Sequence, residues 1–295
     1  MVADTLPKAG PSDPTQPSKP RVSATLYIAA GWILAMVVVS ALAQWLAPFD
    51  YAAMDLRNRL APPIWMSGGT WTHVLGTDDL GRDVLSRVIH SIQISLLVAF
   101  LGTVIGAALG TSVGFLATRF GGWIDDLVMT AIDFQAALPF LILALAALAF
   151  IGNSFLLFVS IMGIYGWERY ARIVRGLTLA AQAQGYAVAL RTLGASSPRI
   201  YFAHILPNIA SAIIVNMTLN FPETVLLETS LSFLGLGIQP PLTSLGNMVG
   251  FGRDYLLSAW WIAVSPAVAI FLTTLAFSLL GDWLRDRLDP TLRGR

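Results

Sequence analysis

Residues 186–208 read YAVALRTLGASSPRIYFAHILPN, a polar insert between two strongly apolar spans that turns at Gly194 and re-enters through Leu206-Pro207-Asn208. Ala183, Ala187, Leu190 and Gly194 recur at helical spacing, with Arg191 on the flank of that stripe. A helix of about a dozen residues is marginal in water on its own. A short segment that keeps an apolar stripe is therefore expected to dock it on something outside the membrane, most simply another subunit. The alternative is an amphipathic helix lying on the bilayer surface, although such helices usually carry larger apolar residues and a lysine-rich polar face.

The flanking sequence sets the class. The 295 residues are 56% hydrophobic and only 12% charged, with mean hydropathy +0.69. A soluble domain holds about one quarter charged residues, so the chain is an all-α integral membrane protein. Apolar runs long enough to cross about 30 Å of hydrocarbon at 1.5 Å per residue read at Leu26 to Ala47, Ile92 to Ala117, Leu127 to Ile151, Phe155 to Ile173, Ile209 to Leu231 and Leu256 to Leu280. These make six transmembrane helices. Ala41-Leu42-Ala43 offers a signal-peptide cleavage site as a competing reading of the first run, but the run continues through Trp45 and Leu46 and its leader is too long for a typical n-region. Residues 1–25 carry Pro7, Pro11, Pro14, Pro17 and Pro20 and read as a disordered tail. The six-helix membrane body is expected over 26–281, its polar loop over 176–208, and a C-terminal tail over 282–295.

With the N-terminus inside, thirteen of the 18 Lys and Arg residues fall in inside segments or adjoining span ends, against Arg57, Arg59, Arg82, Arg87 and Arg253 outside. The positive-inside rule then puts both termini and the 186–208 insert in the cytoplasm. The net charge of +1 gives no nucleic-acid signature. Zero cysteines exclude disulfides, thiolate metal sites and thiol catalysis. No Gly-Lys pair exists, so a P-loop is absent and any ATP-driven work belongs to a partner. An intramembrane serine protease fits poorly. His73, His90 and His204 fall outside, at an outer edge and in the cytoplasmic loop, none placed for buried general-base chemistry. A channel or ion-coupled carrier stays open as a class, although paired interrupted helices in matching halves are not visible.

Charges inside the spans are selective. An Asp at a helix centre costs about 2.5–3.5 kcal/mol on an insertion scale, so Asp133, Glu223 and Glu228 are expected to face a translocation cavity or a subunit interface instead of lipid. Pro139 and Pro222 are expected to kink their spans. Outside, Asp78, Asp79 and Asp83 cluster with Arg82 and Arg87. Helix capping by Thr77 or Asp79 and ion pairing explain that cluster better than a metal site does, and Asp78, Asp79, Arg82 and Asp83 form a candidate outer docking surface.

Four segments carry a family resemblance. Ala189, Gly194 and Leu206-Pro207 resemble the cytoplasmic loop of bacterial ABC-importer permeases, whose pattern is Glu-Ala-Ala, three residues, Gly, nine residues, Ile, any residue, Leu-Pro. Val188 stands where that Glu belongs, Leu190 replaces the second Ala, and His204 occupies the Ile position. Gly76-Thr77-Asp78-Asp79-Leu80-Gly81-Arg82-Asp83 through Arg87 resembles a signature of C-type permeases in the dipeptide, oligopeptide and nickel importer family. Ser232 to Pro241 and Gly281 to Pro290 are similar to two further segments of that family. The resemblance implies a type I ABC-importer permease fold and a translocation subunit for peptides, or for nickel, haem or another small solute. It implies as partners a B-type permease, two cytoplasmic ATPases or one fused ATPase, an extracytoplasmic binding protein and the lipid of a bacterial inner membrane. No cofactor would bind this chain, ATP and Mg being used by the ATPases. The ATPase-coupling residues would be Tyr186, Ala189, Leu190, Arg191, Gly194, Ala195, Ser196, Leu206 and Pro207, in a helix from Tyr186 to Ser196 ended by Pro198.

Overall fold

The computed structural model describes residues 23–288. The N-terminal tail reading, apart from its last residues, and Arg293 and Arg295 lie outside them. Among the described residues the regular structure is helical, with one isolated bridge between Thr77 and Asp83.

Helix α1 (Ala24–Ala41) and its short continuation α2 (Ala43–Leu46) form the first span. One face of large apolar side chains points away from the protein, as lipid-facing residues should, with Ile28 72% exposed and Leu34 65%, while Met36 on the other face is buried in the core. A loop carrying one 3₁₀ turn (Leu56–Asn58) leads to α3 (Val84–Phe120). At 37 residues, α3 is about 55 Å long, so it extends beyond the hydrocarbon at one end or both. The expected span from Ile92 to Ala117 is its middle. Gly121 and Gly122, both at positive φ, turn the chain into α4 (Gly122–Ala137).

The third expected span is broken more sharply than a kink. Between α4 and α5 (Phe140–Ile151) the axis turns by 88°. Leu138 ends α4 in an extended conformation, as proline favours in the residue before it, and Pro139 is the N-cap of α5. The fourth expected span is also two helices, α6 (Phe155–Ile164) and α7 (Trp167–Gln182). They are separated at Gly166, whose φ of +81° is left-handed and where a Cβ would meet the Asn220 side-chain nitrogen at 2.6 Å. Among the described residues four helices are therefore continuous, long and apolar enough to cross a membrane, or five if α4–α5 is one span. The sequence count of six adds α6–α7, which the break at Gly166 and the charges of α7 keep below that measure.

Helix α8 (Gly185–Thr192) follows after a two-residue link. A π-helical turn (Arg199–Ile205) then runs straight into α9 (Leu206–Phe233), which passes through Pro222 without a break. Helix α10 (Leu245–Gly252), a 3₁₀ turn (Arg253–Tyr255) and α11 (Trp261–Leu288) are the last elements of the described residues. Helix α11 carries helical structure to Leu288, so Asp282 to Leu288 belong to the last helix and not to an irregular tail. Helix α3 is the central strut. One end packs with α1, α10 and α11, its middle with α5, α6 and α9, and its far end with α7, the π-turn and α9.

Candidate functional site

Helix α8 projects from the end of the bundle where α3 terminates. Its last turn closes as a Schellman motif: Ala195 N–H donates to the Leu190 carbonyl at 3.0 Å and Gly194 N–H to that of Arg191 at 3.0 Å. Gly194 sits at φ +78° with open space around its missing side chain. The helix therefore ends at Thr192 and not at Ser196, and Gly194 stops it instead of Pro198. The left-handed conformation, more than a close approach, requires glycine here. Gly194→Ala is expected to cost roughly 1–2 kcal/mol at this turn and to speed hydrogen exchange over residues 185–195 with little change elsewhere.

The apolar stripe of α8 does not face outward. Ala187 is fully buried, and Leu190 and Ala195 pack on a cluster of Phe115, Val174, Ile200 and Tyr201 from the same chain. Tyr186 accepts a hydrogen bond from the Asn208 side chain at 3.2 Å, and Leu206 also packs on that cluster. The expectation that the stripe docks on another subunit is corrected for Ala187 and Leu190. A helix of about two turns can bury its stripe by folding back on the bundle when the next helix supplies the wall, as the π-turn does. What remains exposed is the opposite ridge: Val188 at 50%, Leu193 at 82%, and Ala189, Arg191, Thr192 and Ser196 beside them. Pro207 is exposed at the base of α9.

Helix α7, two residues upstream, is anchored by charge. Arg169 pairs with Glu223 of α9, Arg172 with Asp133 of α4 at 2.9 Å, and Arg175 bidentately with Asp125 of α4 at 2.5 Å. Tyr165 donates to Glu223 at 3.4 Å, and Gln135 bridges the Trp167 indole at 2.6 Å to Glu168 at 3.1 Å. Asp133 and Glu223 thus find cations within this chain, yet the four side chains are 45–74% exposed. Glu228 behaves differently. It is fully buried, accepting from Ser95 at 3.0 Å and Ser232 at 2.7 Å, with Ser244 beside them. Its assignment to a translocation surface or subunit interface is corrected: α3, α9 and α10 enclose it, and serine hydroxyls supply the hydrogen bonds that a partner was expected to provide.

At the opposite end, the Gly76 to Arg87 segment is a knot. The Asp78 carboxylate accepts the backbone N–H groups of Leu80 and Arg82, both at 2.9 Å, the Arg82 Nε at 2.7 Å and the Arg87 guanidinium. Asp83 is the actual cap of α3, accepting Ser86 N–H at 2.8 Å and contacting His73 at 3.0 Å. Capping by Thr77 or Asp79 is therefore overturned. Thr77 instead accepts from Ala61 N–H at 2.8 Å and bonds the Asn58 carbonyl, while its own carbonyl accepts the Trp261 indole at 3.1 Å. Asp78 and Asp83 are 3% exposed, so they cannot form a docking surface. Their lone pairs are used internally. Asp79 keeps about a third of its side chain in solvent and pushes the nearby Tyr255 phenol above its ordinary pKa, and Arg82 is partly exposed beside it.

Comparison with known proteins adds what geometry cannot. Residues 102–294 match the family described as binding-protein-dependent transport system inner membrane component, and residues 25–63 match the N-terminal TM domain of oligopeptide transport permease C. This chain belongs to that inner-membrane transport family. Similar relatives include the di/tripeptide transport system permease protein DppC of Pseudomonas aeruginosa, 39% identical over 89% of this chain and 86% of the relative. The glutathione transport system permease proteins GsiD of Escherichia coli and Shigella boydii are each 40% identical over 90% of this chain and 86% of theirs. The chain is thus a multi-pass membrane permease component of a binding-protein-dependent ABC transporter, a class that works with ATPase and binding-protein partners.

One determinant of this permease is absent from the sequence reading above, though its pattern was visible. Gly102, Gly106, Gly110 and Gly114 recur every four residues along α3. A Cβ on Gly102 would meet Met162 at 2.8 Å, on Gly106 the Tyr165 carbonyl at 3.1 Å, on Gly110 the Tyr170 Cβ at 2.6 Å, and on Gly114 the Ala171 carbonyl at 2.8 Å. The ladder seats α6 and α7 against α3 at backbone distance, as small-xxx-small repeats do in membranes.

Proposed function

We propose that this permease is the C-type half of a translocation pathway that imports short peptides, with α8 in the cytoplasm as the contact for an ATPase. The single observation that carries the coupling role is the exposed ridge of Val188, Arg191 and Leu193 on a helix whose other face and C-terminus are held rigidly by its own chain. A rigid, exposed helix joined to α7 by only Ala183 and Gln184 transmits a push to the ion-paired α7 without bending. That is what a lever between ATPase motion and alternating access requires. Peptide cargo is supported by the names of the relatives, which transport di- and tripeptides or glutathione. The remaining partners would be a B-type permease, two ATPases or one fused ATPase holding ATP and Mg, and an extracytoplasmic binding protein. This chain would perform no chemistry itself. With Val188 at the position of the usual Glu, docking rests on apolar fit and the Arg191 charge.

The test is Leu193→Asp. At 82% exposure the substitution costs the fold within about 0.5 kcal/mol, whereas a charge in an apolar hot spot lowers binding by about 2 kcal/mol or more. Peptide uptake by the reconstituted complex is expected to fall at least about tenfold while the chain stays membrane-inserted. Unchanged uptake would remove α8 from the coupling path. Ser196→Cys, in a chain without cysteines, is expected to react with an impermeant maleimide only from the cytoplasmic side. Reaction from the outside would reverse the topology.

A further inference from the structure

The half-exposed charges along α7 have more to do than anchor a helix. The Arg169–Glu223 pair joins α7 to α9 and the Arg172–Asp133 pair joins α7 to α4, so both lie on helices of the membrane-spanning bundle. Yet the side chains of Arg169 and Glu223 are 51% and 45% exposed, and those of Arg172 and Asp133 57% and 74%. Such groups do not face lipid. Each is already neutralised inside this chain, so whatever meets them must present both signs at once. A polypeptide wall offering one compensating charge would leave the other unmatched.

An apolar cleft of about 380 Å³ is lined by Ala131, Phe134, Leu138, Phe140, Ile161 and Ile164, on and between α4, α5 and α6. Gln135 and Trp167 belong to the cleft wall and also to the polar strip, through the Trp167 to Gln135 bond at 2.6 Å and the Gln135 to Glu168 bond at 3.1 Å. Asp133 lies two residues from Gln135 and Arg169 two from Trp167, so the ion pairs adjoin the wall of that side-chain-sized recess along the chain. Arg169 and Arg172 are three residues apart on one helix, hence neighbours about 5–6 Å apart at Cβ. Two or three extended residues span about 7–11 Å, within reach of both guanidinium groups and their carboxylates.

From this juxtaposition we propose that the Arg169–Glu223 and Arg172–Asp133 pairs form a transient subsite for the zwitterionic ends of a short peptide, with one of its side chains in the cleft. The proposal rests on the peptide reading above. The peptide carboxylate takes the place of Asp133 or Glu223 on an arginine, and its ammonium group takes the place of the arginine on the freed acid. The exchange conserves charge: one internal ion pair opens and two form with the peptide ends. It gives a site that binds weakly enough to release, as passage through a membrane requires.

The absence of cysteine makes the test direct. In the full complex with its partner permease, ATPases and binding protein in nanodiscs, Ala131→Cys is expected to react with 2-sulfonatoethyl methanethiosulfonate. Free Ala-Phe is expected to slow that reaction and its N-acetyl amide form to leave it unaffected, with Leu34→Cys on the lipid face of α1 unreactive. Asp133→Asn with Arg172→Gln is expected to abolish the protection and to lower Ala-Phe uptake per ATP hydrolysed about tenfold. An unreactive Ala131→Cys, showing the cleft covered by lipid or by the partner permease, overturns the subsite. So does equal protection by the blocked peptide, or wild-type uptake by the double variant. If the wild-type complex imports no peptide, the cargo reading fails and the subsite falls with it; uptake by wild type together with any of the other failures removes the subsite alone.

Discussion

Asp78→Ala is expected to remove most of the folded permease from the membrane, although residue 78 lies far from α8. Its carboxylate accepts from two backbone N–H groups, the Arg82 Nε and the Arg87 guanidinium, and the Asp78 and Arg87 side chains are only 4% and 6% exposed. Removing one partner of a buried pair costs about 3–5 kcal/mol because the other charge is left without compensation. Whole-protein stability is only about 5–15 kcal/mol. The Arg87 Nε already lacks a partner, so no spare acceptor is at hand. The knot also fixes Thr77, whose carbonyl receives the Trp261 indole, so the loss reaches the start of α11. Asp79→Ala is the control. That side chain is 32% exposed with an Arg82 nitrogen 3.9 Å away, and exposed pairs contribute about 0–1 kcal/mol. Thermal unfolding followed by size-exclusion fluorescence should separate the two variants clearly. Equal midpoints would show that the knot is not a stability centre. Arg87→Met in the Asp78→Ala background should recover part of the loss, since it removes the stranded charge.

Gly110→Leu is expected to be nearly as damaging through packing alone. The first added carbon would lie 2.6 Å from the Tyr170 Cβ and 2.9 Å from the Ala171 nitrogen, and it would also press on the Trp167 carbonyl. Backbone cannot yield as a flexible side chain can, so the cost should reach or exceed the upper end of about 1–3 kcal/mol typical of overpacking. The damage should appear as separation of α7 from α3, and with it loss of the registry of Arg169, Arg172 and Arg175. Gly176→Leu on α7 meets nothing within 4 Å and should be tolerated. Helix-specific hydrogen exchange, combined with the yield of assembled complex, distinguishes the two. If Gly110→Leu assembles and exchanges like the parent chain, the glycine ladder is not what holds α7.

Much of this could be read without coordinates because it is local. Hydropathy located the apolar runs, helical spacing located the segment that became α8, and Gly194 is the residue at its turn. The arginine distribution assigned a side to each loop, and that orientation rests on the arginines alone. Capping shows where local reading fails. Thr77, Asp79 and Asp83 are all plausible caps by type, and only the start of α3 at Val84 selects Asp83. The glycine spacing on α3 was legible as a small-residue face but does not name the helix it meets.

What only the tertiary structure decided is which way each face points and which distant residue completes each charge. Successive residues on a helix are 100° apart, so a stripe known to one residue is still free to face inward or outward. The stripe of Ala187 and Leu190 turned inward because the π-turn at Arg199–Ile205 and Phe115 of α3 provide its wall, leaving Val188 and Leu193 outside. The partners Asp133 and Arg172 are 39 positions apart and Glu223 and Arg169 54. Glu228 met serines from α3 and α10 in place of a cation. Hydrophobicity and helical period act over a few residues and are carried by composition. Burial of a particular carboxylate depends on the rotation and register of helices packed from distant parts of the chain.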